Sequence, residues 1–192
     1  MQTWKTTARE IAFHHSKWLT VENHTIQLPD GSTLAEWPWI ITPDFINVIA
    51  VTEEARFLLF RQTKYAVEGV VLAPVGGYLE PKEDPLAAAR RELLEETGYE
   101  ASDWSPLGTY AVDGNHGVST AHFFLARNAR KVKEPDSDDL EEQKLVQLTR
   151  EEMLREVYGR NFKVMSWVAA VALALLELEG QGGLSPDRDR RA

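Results

Sequence analysis

The fold is decided by residues 77–99, which read GYLEPKEDPLAAARRELLEETGY. The second half of this stretch predicts a helix over residues 84–97. Asp84 can cap its first turn, Pro85 stands where a helix tolerates proline, and Gly98 stands where helices commonly stop. The predicted helix therefore has a marked beginning and a marked end.

Three glutamates, Glu92, Glu95 and Glu96, are spaced i, i+3 and i+4 on this helix and share one of its faces. Like charges held together cost free energy unless a cation neutralises them, and carboxylate oxygens suit Mg²⁺ or Mn²⁺. The other interpretation is a solvated acidic face that pairs in part with Arg90 and Arg91. For three glutamates alone, the solvated face is the better supported of the two.

The rest of the stretch makes the metal site the better supported interpretation of the three glutamates. Residues 77–83, the next seven residues and residues 91–99 resemble the Nudix box, G-x5-E-x7-R-E-U-x-E-E-x-G-U with U apolar, at every fixed position. Only the final apolar slot is loose, because Tyr99 fills it. A match over nine specified positions is much more specific than a lone glycine motif. The chain is therefore similar to Nudix hydrolases, metal-dependent enzymes that cleave diphosphate linkages.

A weaker resemblance extends over roughly residues 13–178, and its layout is similar to the ADP-ribose and nucleoside diphosphate sugar pyrophosphatase branch of that family. Three segments carry it, namely residues 28–31 (LPDG), 60–65 (FRQTKY) and 72–77 (LAPVGG). The chain departs from the branch at Lys64, where arginine is usual, at Ala73, where glutamate is frequent, and at Asn115, where many members have proline. These departures concern the substrate rather than the reaction.

The resemblance implies the fold class α/β, as a Nudix-type α/β/α sandwich with a central mixed β-sheet and an N-terminal β-hairpin extension. The sequence outside the box agrees with this fold. The hairpin is predicted over about residues 18–41, as two β-rich runs around the turn at residues 29–32. Further strands are predicted at residues 45–51, 56–61, 70–73, 104–112, 120–126 and 145–148, and further helices at residues 150–158 and 162–179.

The domain organisation follows from the same pattern. Residues 1–12 are assigned as an N-terminal segment, and residues 13–179 are predicted to form a single Nudix domain. Residues 180–192 contain glycines, a proline and alternating charges, so we expect a disordered tail.

The resemblance also implies roles for the residues of the box. Glu92, Glu95 and Glu96 would be metal ligands, assisted by the backbone carbonyl of Gly76. Two or three divalent cations per site, Mg²⁺ or Mn²⁺, are expected. Arg91 would orient the glutamates through charge-assisted hydrogen bonds. Glu83 would support the loop and reach a metal-bound water.

Related enzymes place a further glutamate, a general base or metal ligand, on the loop before the last strand. Glu141 is the first choice for this role, with Glu142 and Asp139 as substitutes, because it precedes the predicted strand at residues 145–148. A solvated acidic loop is an equally weighted interpretation of the same residues.

Several residues outside the helix are candidates for substrate binding. Trp37 or Trp39 could stack on a base or sugar, although a core role is favoured for at least one of them. Arg61 or Lys64 could meet phosphate oxygens. The remaining candidates are Gly77, the first residue of the box, and His116, for which a surface turn is the favoured alternative.

The composition excludes several other classes of protein. The net charge is −9, from 30 acidic and 21 basic residues, which argues against a nucleic-acid partner. The chain has no cysteine, which excludes disulfides, thiolate metal sites and the isomerases of this fold that use a catalytic cysteine. The longest apolar run, residues 164–176, is too short for a membrane span, and residues 1–11 do not resemble a secretory signal. A cytoplasmic protein without membrane contact is expected.

The predicted function is hydrolysis of ADP-ribose, or of a related nucleoside diphosphate sugar, to a nucleoside monophosphate and a sugar phosphate. One alternative is a pyrophosphohydrolase of (deoxy)nucleoside triphosphates, dinucleoside polyphosphates or RNA 5′ ends. A non-catalytic module that senses a nucleotide is another. The branch commonly dimerises through its N-terminal strands, so the resemblance further implies a homodimer.

Overall fold

The computed structural model describes residues 1–136 and 142–180. Within these residues the chain forms ten strands and three helices. In chain order they are β1 (Lys5–His15), β2 (Leu19–Gln27), β3 (Thr33–Ile41), β4 (Phe45–Thr52), β5 (Phe57–Lys64), β6 (Val67–Ala73), β7 (Val75–Tyr78), α1 (Pro85–Thr97), β8 (Tyr99–Asp113), β9 (Gly117–Lys131), β10 (Gln143–Leu148), α2 (Arg150–Tyr158) and α3 (Met165–Gly180).

One compact unit comprises residues 1–45 and 109–121. In it β1 pairs antiparallel with β2, and β2 pairs antiparallel with β3, so the predicted hairpin is confirmed and gains a third strand. The turn between β2 and β3 is closed by the Asp30 carboxylate, which accepts from the Ser32 N–H at 2.9 Å, and by Gly31 at φ +86°. β3 pairs in parallel with the start of β9, at Ile40 with Gly117 and Ile41 with Val118.

The other unit begins at Ile46, runs to Gly108 and resumes at His122. Here β5 pairs antiparallel with β4, β6 and β10, while β7 pairs with β4. Helix α1 packs against β7, and α2 packs against β10. Because parallel and antiparallel ladders both occur in the chain, the predicted α/β class with a mixed sheet is confirmed.

The central strands of this second unit are apolar on both faces because both faces are buried in its core. β4 is buried along nearly its whole length, as expected for a central strand covered on both sides. The described side chains without measurable exposure include Ile46, Val48, Ile49, Leu58, Leu59, Leu93 and Val171. Leu93 stands between the box glutamates in sequence, so the helix that carries the acidic face is anchored in this core by its opposite face.

Helix α3 forms from the longest apolar run of the sequence. Its buried residues, Trp167, Ala170, Val171, Ala174 and Leu175, follow the helical repeat and form one buried face. α3 has 16 residues, and none of the helices in the described part of the chain is long and apolar enough to cross a membrane.

Candidate active site

The helix of the box, α1, begins and ends at the residues that the sequence indicates. The Asp84 carboxylate accepts hydrogen bonds from the backbone N–H groups of Leu86 and Ala87, at 3.1 and 3.0 Å. At the other end Gly98 adopts φ +74° and donates its N–H to the Leu94 carbonyl at 2.9 Å. These two caps set the beginning and the end of the helix that carries the box glutamates.

Arg91 is the centre of a cluster of carboxylates. Its Nε and Nη2 donate to the two oxygens of Glu83, at 2.9 and 3.0 Å, as a bidentate pair. Its Nη1 donates to Glu92 Oε1 at 2.8 Å and to Glu95 Oε2 at 3.1 Å. The Arg91 side chain is 28% exposed, so these bonds are partly shielded from water. One arginine therefore holds three of the acidic side chains of the box.

This pairing shifts the protonation of both partners. Hydrogen bonding to Glu83 raises the pKa of the Arg91 guanidinium above its ordinary range. The same bonds from Arg91 lower the pKa of the Glu83 carboxyl below its ordinary value. Glu83 also accepts from the backbone N–H of Glu80 at 2.9 Å, so the charged carboxylate fastens the loop that precedes α1.

The glycines at the start of the box bring backbone against the remaining carboxylates. The Gly76 N–H donates to Glu96 Oε2 at 3.3 Å. A Cβ at Gly77 would overlap the Glu92 carboxylate, so any larger residue there would require that side chain to shift. Neither residue has a positive φ, so both glycines are required by space rather than by backbone conformation.

The oxygen donors of this face are of the chemical kind that binds a divalent cation. The Glu92 carboxylate lies against Gly77, Glu96 accepts from the Gly76 N–H, and Glu95 shares the Arg91 guanidinium with Glu92. Hard oxygen donors of this kind are those that Mg²⁺ and Mn²⁺ prefer. Among residues 1–136 and 142–180, no three histidine, aspartate or glutamate side chains are grouped closely enough to hold a metal without rearrangement. Arg91 occupies one oxygen of Glu92 and one of Glu95.

The chain that leads into the acidic loop is attached to the end of α1. The backbone N–H groups of Val132 and Lys133 donate to the Gly98 carbonyl, at 2.9 and 3.2 Å, and that of Asp136 donates to the Glu95 carbonyl at 2.8 Å. The predicted base Glu141 and its substitute Asp139 lie outside the described residues. The other substitute, Glu142, is exposed and immediately precedes β10.

Arg61, a predicted phosphate contact, lies on β5. Its Nη2 donates to Glu156 Oε1 of α2 at 3.3 Å, and its side chain is half exposed. Lys64, at the end of the same strand, is only partly buried. The residues of the box do not contribute to this Arg61 ion pair.

Trp37 and His116 come together in the unit that contains the N-terminal strands. Their rings stack with centroids 5.8 Å apart and an interplanar angle of 6°. The loop that carries His116 is closed by the Asp113 carboxylate, which accepts from the N–H groups of Asn115 and His116, both at 2.7 Å. The Trp37 Nε1–H donates to the Asn115 carbonyl at 2.9 Å. The two residues thus form one aromatic platform, which the sequence did not predict.

Trp39 lies in the same unit and has a different environment. It stacks on the buried His24, with centroids 5.3 Å apart, and it packs so closely on Gly117 that a Cβ there would lie 2.5 Å from its ring. One side of Trp39 lines a groove of about 310 Å³ together with Ile41 and Asp44. Of the two tryptophans, Trp39 is thus the one whose contacts favour a role in packing.

The sequence analysis missed several contributors to the site. The Tyr78 carbonyl accepts from Arg91 Nη2 at 3.4 Å, and the Gly76 N–H meets Glu96. Both are backbone groups, which carry no signal in residue identity. The buried side chain of Asn47 on β4 lies against Gly76. A polar residue within the apolar run at residues 45–51 was the one signal that could have indicated it.

One arginine joins carboxylates of α1 and of the loop before it, beside the glycines of β7, an arrangement suited to a hydrolase of acid anhydrides. The sequence model of the NUDIX domain matches residues 42–168, well over half of the chain. The chain belongs to the Nudix family, and as an enzyme it is a Nudix pyrophosphatase.

Three relatives match most of the chain. An ADP-ribose pyrophosphatase of Bacillus subtilis (strain 168) is 28% identical over 176 residues, which cover 91% of this chain and 93% of the relative. A CMP-5'-(N-acetyl-N-hydroxy-3-aminopropyl)phosphonate hydrolase of Streptomyces rubellomurinus (strain ATCC 31215) is 29% identical over 176 residues, 91% of this chain and 82% of the relative. A methanol dehydrogenase activator of Bacillus methanolicus is 28% identical over 155 residues, 80% of this chain and 82% of the relative.

A solved structure is similar over nearly the full length. The crystal structure of an ADP compounds hydrolase superposes with a TM-score of 0.79, covering 95% of this chain and 97% of that one at 22% identity. This likeness shows that the two chains share a fold, which confirms the Nudix-type architecture predicted from the sequence.

Proposed function

We propose that the protein hydrolyses the diphosphate linkage of ADP-ribose, or of a related nucleoside diphosphate sugar, to a nucleoside monophosphate and a sugar phosphate. The observation that carries the proposal is the joining of Glu83, Glu92 and Glu95 by Arg91 beside the Gly76–Gly77 backbone. Relatives that act on ADP-ribose and on a CMP-linked phosphonate support a nucleotide attached through phosphorus to a second group.

In this proposal Glu92, Glu95 and Glu96 hold Mg²⁺ or Mn²⁺ together with the carbonyl of Gly76. Two or three divalent cations, when bound, supply positive charge at the diphosphate and activate the attacking water. The close approach of Gly77 to Glu92 and of Gly76 to Glu96 supports the assignment, because it places the strand that carries the Gly76 carbonyl next to these two carboxylates.

Arg91 orients the ligands rather than binding substrate, because its donors are already engaged by carboxylates on both sides. Glu83 stays ionised at neutral pH, since the Arg91 contact lowers its pKa, and it supports the loop through Glu80. This charged Glu83 is also available to accept a hydrogen bond from a water of the site.

A general base is assigned to Glu141, with Glu142 and Asp139 as the alternatives. The segment before this loop is fastened to the end of α1 by the hydrogen bonds of Val132 and Asp136. That attachment supports the assignment because residues 132–136, which precede these acidic residues in sequence, lie beside the carboxylate-bearing helix. Substituting each acidic residue by its amide, one at a time, tests which of the three lowers turnover most at saturating metal.

Substrate recognition is assigned to the aromatic platform of Trp37 and His116 and to the cations Arg61 and Lys64. A planar base can stack on the platform, since both rings are partly exposed. Arg61 can exchange its exposed pairing with Glu156 for a phosphate oxygen at little cost. Gly77 contributes its backbone, which is partly exposed at the start of the box.

A panel assay tests the proposed function. Purified protein is incubated with Mg²⁺ or Mn²⁺ and with ADP-ribose, other nucleoside diphosphate sugars, a CMP-linked phosphonate, dinucleoside polyphosphates and nucleoside triphosphates, and products are separated by chromatography. We expect a nucleoside monophosphate and a sugar phosphate from ADP-ribose or a related sugar. Preferential release of pyrophosphate from triphosphates would support the alternative pyrophosphohydrolase, and no cleavage with tight nucleotide binding would support the sensing module.

We also propose a homodimer formed through the N-terminal strands. All residues of β1 are exposed, among them Ile11 at 64% and Phe13 at 52%, and an exposed strand with apolar side chains favours pairing with another chain. Gel filtration with light scattering tests this, with a mass near twice 21.7 kDa expected and a mass near 21.7 kDa contradicting it.

A further inference from the structure

Asn47 is a buried polar residue in an apolar strand. It lies in the middle of β4, is 3% exposed, and its neighbours in sequence, Ile46 and Val48, have no exposure at all. A strand buried on both faces is ordinarily aliphatic throughout. The amide at position 47 therefore requires an explanation other than packing.

The side chain of Asn47 lacks full hydrogen bonding. Its Oδ1 is buried and has no hydrogen-bond partner in the described part of the chain. A buried acceptor without a donor lowers stability, and an aliphatic residue would avoid that cost. A role in a nearby site is one of the explanations for a polar group kept under such conditions.

The amide of Asn47 lies against the backbone of Gly76. A Cβ at Gly76 would lie 2.5 Å from Asn47 Nδ2 and 3.0 Å from the Ile46 carbonyl oxygen. Gly76 does not have a positive φ, so the space that the amide occupies is the reason for glycine here. Asn47 and Gly76 are thus matched to each other in shape.

Gly76 in turn meets the acidic face of α1. Its N–H donates to Glu96 Oε2 at 3.3 Å, and the next residue, Gly77, lies directly against the Glu92 carboxylate. The backbone of β7 is therefore enclosed between the Asn47 amide and the carboxylates of the box. A shift of this backbone moves the group that meets Glu96.

We propose that Asn47 is a positioning residue: its side-chain amide sets the place of the Gly76–Gly77 backbone and thereby the alignment of Glu92 and Glu96 for divalent-cation binding. The inference rests on the proposed function of the same site. It adds to the site a residue of a central strand, Asn47, which stands 30 positions before the first residue of the box, Gly77. Residues that orient metal ligands without binding the metal commonly affect its affinity.

The test compares Asn47→Ala and Asn47→Leu with the wild type by titration of Mn²⁺, followed through the electron paramagnetic resonance signal of the free ion. We expect about 10-fold weaker Mn²⁺ binding in both variants, in the range found when residues that orient metal ligands are changed. Leucine does not restore binding, because its branched tip is wider than a planar amide against a backbone that is already close. The backbone N–H of Gly76 should exchange with solvent faster in both variants.

Ile49→Val is the matched control. Ile49 lies two residues along β4, on the same face of the strand as Asn47, and is fully buried. Loss of a methylene there lowers the melting temperature through packing alone. We expect the control to be less stable than the wild type yet unchanged in Mn²⁺ affinity and in exchange of the Gly76 N–H.

The outcomes separate the inference from the proposed function. If the wild type binds Mn²⁺ and both Asn47 variants bind it equally well, the positioning role is wrong and the proposed function stands. If the wild type itself neither binds Mn²⁺ nor cleaves any substrate of the panel, the proposed function is wrong. In that case Gly76 exchange still decides whether Asn47 holds this backbone, because that measurement needs no metal.

Discussion

The segment from Gly77 to Tyr99 and the N-terminal strands are stabilised by different kinds of interaction. The segment is organised by charge, with Arg91 joined to Glu83, Glu92 and Glu95. The N-terminal strands are organised by aromatic contacts, in which Trp37 stacks on His116 and also meets Trp4 edge to face. Charge that can hold a cation suits the chemical step, and exposed rings suit recognition of a base.

Because of this difference, we expect mutations in the two regions to change different kinetic constants. Changes in the segment should mainly affect kcat, because they alter groups at the reacting diphosphate. Changes in the aromatic platform should mainly affect KM, because they alter binding that is shared by the ground state and the transition state.

Glu96→Gln should have the largest effect. The substitution removes one negative charge from the proposed metal site but keeps the shape of the side chain, so kcat should fall by about 10³-fold or more while the melting temperature changes little. The measurement is steady-state release of nucleoside monophosphate at saturating Mg²⁺. Glu100→Gln is the control, since Glu100 is exposed just beyond the box. Equal losses in both variants would show that net charge, rather than this carboxylate, matters.

Gly77→Ala should come next. The added Cβ would overlap the Glu92 carboxylate, so Glu92 or the β7 backbone must move, and we expect a loss of kcat of about 10- to 100-fold. Gly114→Ala is the control, because a Cβ there meets nothing within 4 Å. If Gly77→Ala kept full activity, the close approach of backbone to carboxylate would have no role in the reaction.

Glu83→Gln should reduce stability in a way that depends on pH. The pKa of Glu83 is lowered in the folded protein, so the stability from its pair with Arg91 is complete above its ordinary pKa of about 4.3 and disappears as the pH falls through the lowered value. At pH 7 we expect the variant to be destabilised by about 2 kcal/mol in urea unfolding. The difference from the wild type should shrink below about pH 4. A difference that persisted unchanged into acid would contradict the ion-pair explanation.

Trp37→Ala should have the smallest effect on catalysis. Loss of one stacking surface should raise KM by about five-fold and leave kcat nearly unchanged, which matches the contribution of a single aromatic pair. Trp18→Ala, a change to another exposed tryptophan, should leave KM as it is. A fall in kcat equal to that of Gly77→Ala would remove the distinction between the two regions.

The sequence predicted the segment better than the N-terminal strands, for a physical reason. A helix with a capping aspartate and a terminal glycine is specified by local interactions, and α1 begins and ends accordingly. In β1, by contrast, every residue is exposed. A strand without a buried face does not need the alternation of apolar and polar residues from which strands are predicted. β7 is only four residues long and contains two glycines, which are typical of loops.

The shared helix face of the candidate metal ligands was predictable from the sequence, and the contacts around them were not. The spacing of Glu92, Glu95 and Glu96 placed them on one face, yet the bidentate bond of Arg91 to Glu83 joins a loop to a helix and depends on tertiary structure. The contact of Asn47 with Gly76 joins two strands in the same way. The predicted roles of the box residues, of Glu141 and of the substrate-binding residues remain predictions.

The central claim is that water attacks phosphorus in a diphosphate at the carboxylate site of α1. Hydrolysis of ADP-ribose with Mg²⁺ in ¹⁸O-labelled water, followed by mass spectrometry of both phosphate products, tests this claim most directly. The claim predicts one ¹⁸O atom per cleavage in the phosphate of AMP or of ribose 5-phosphate, and a loss of this labelling rate in Glu96→Gln. Uncut substrate, or products in which neither phosphate carries label, would contradict it.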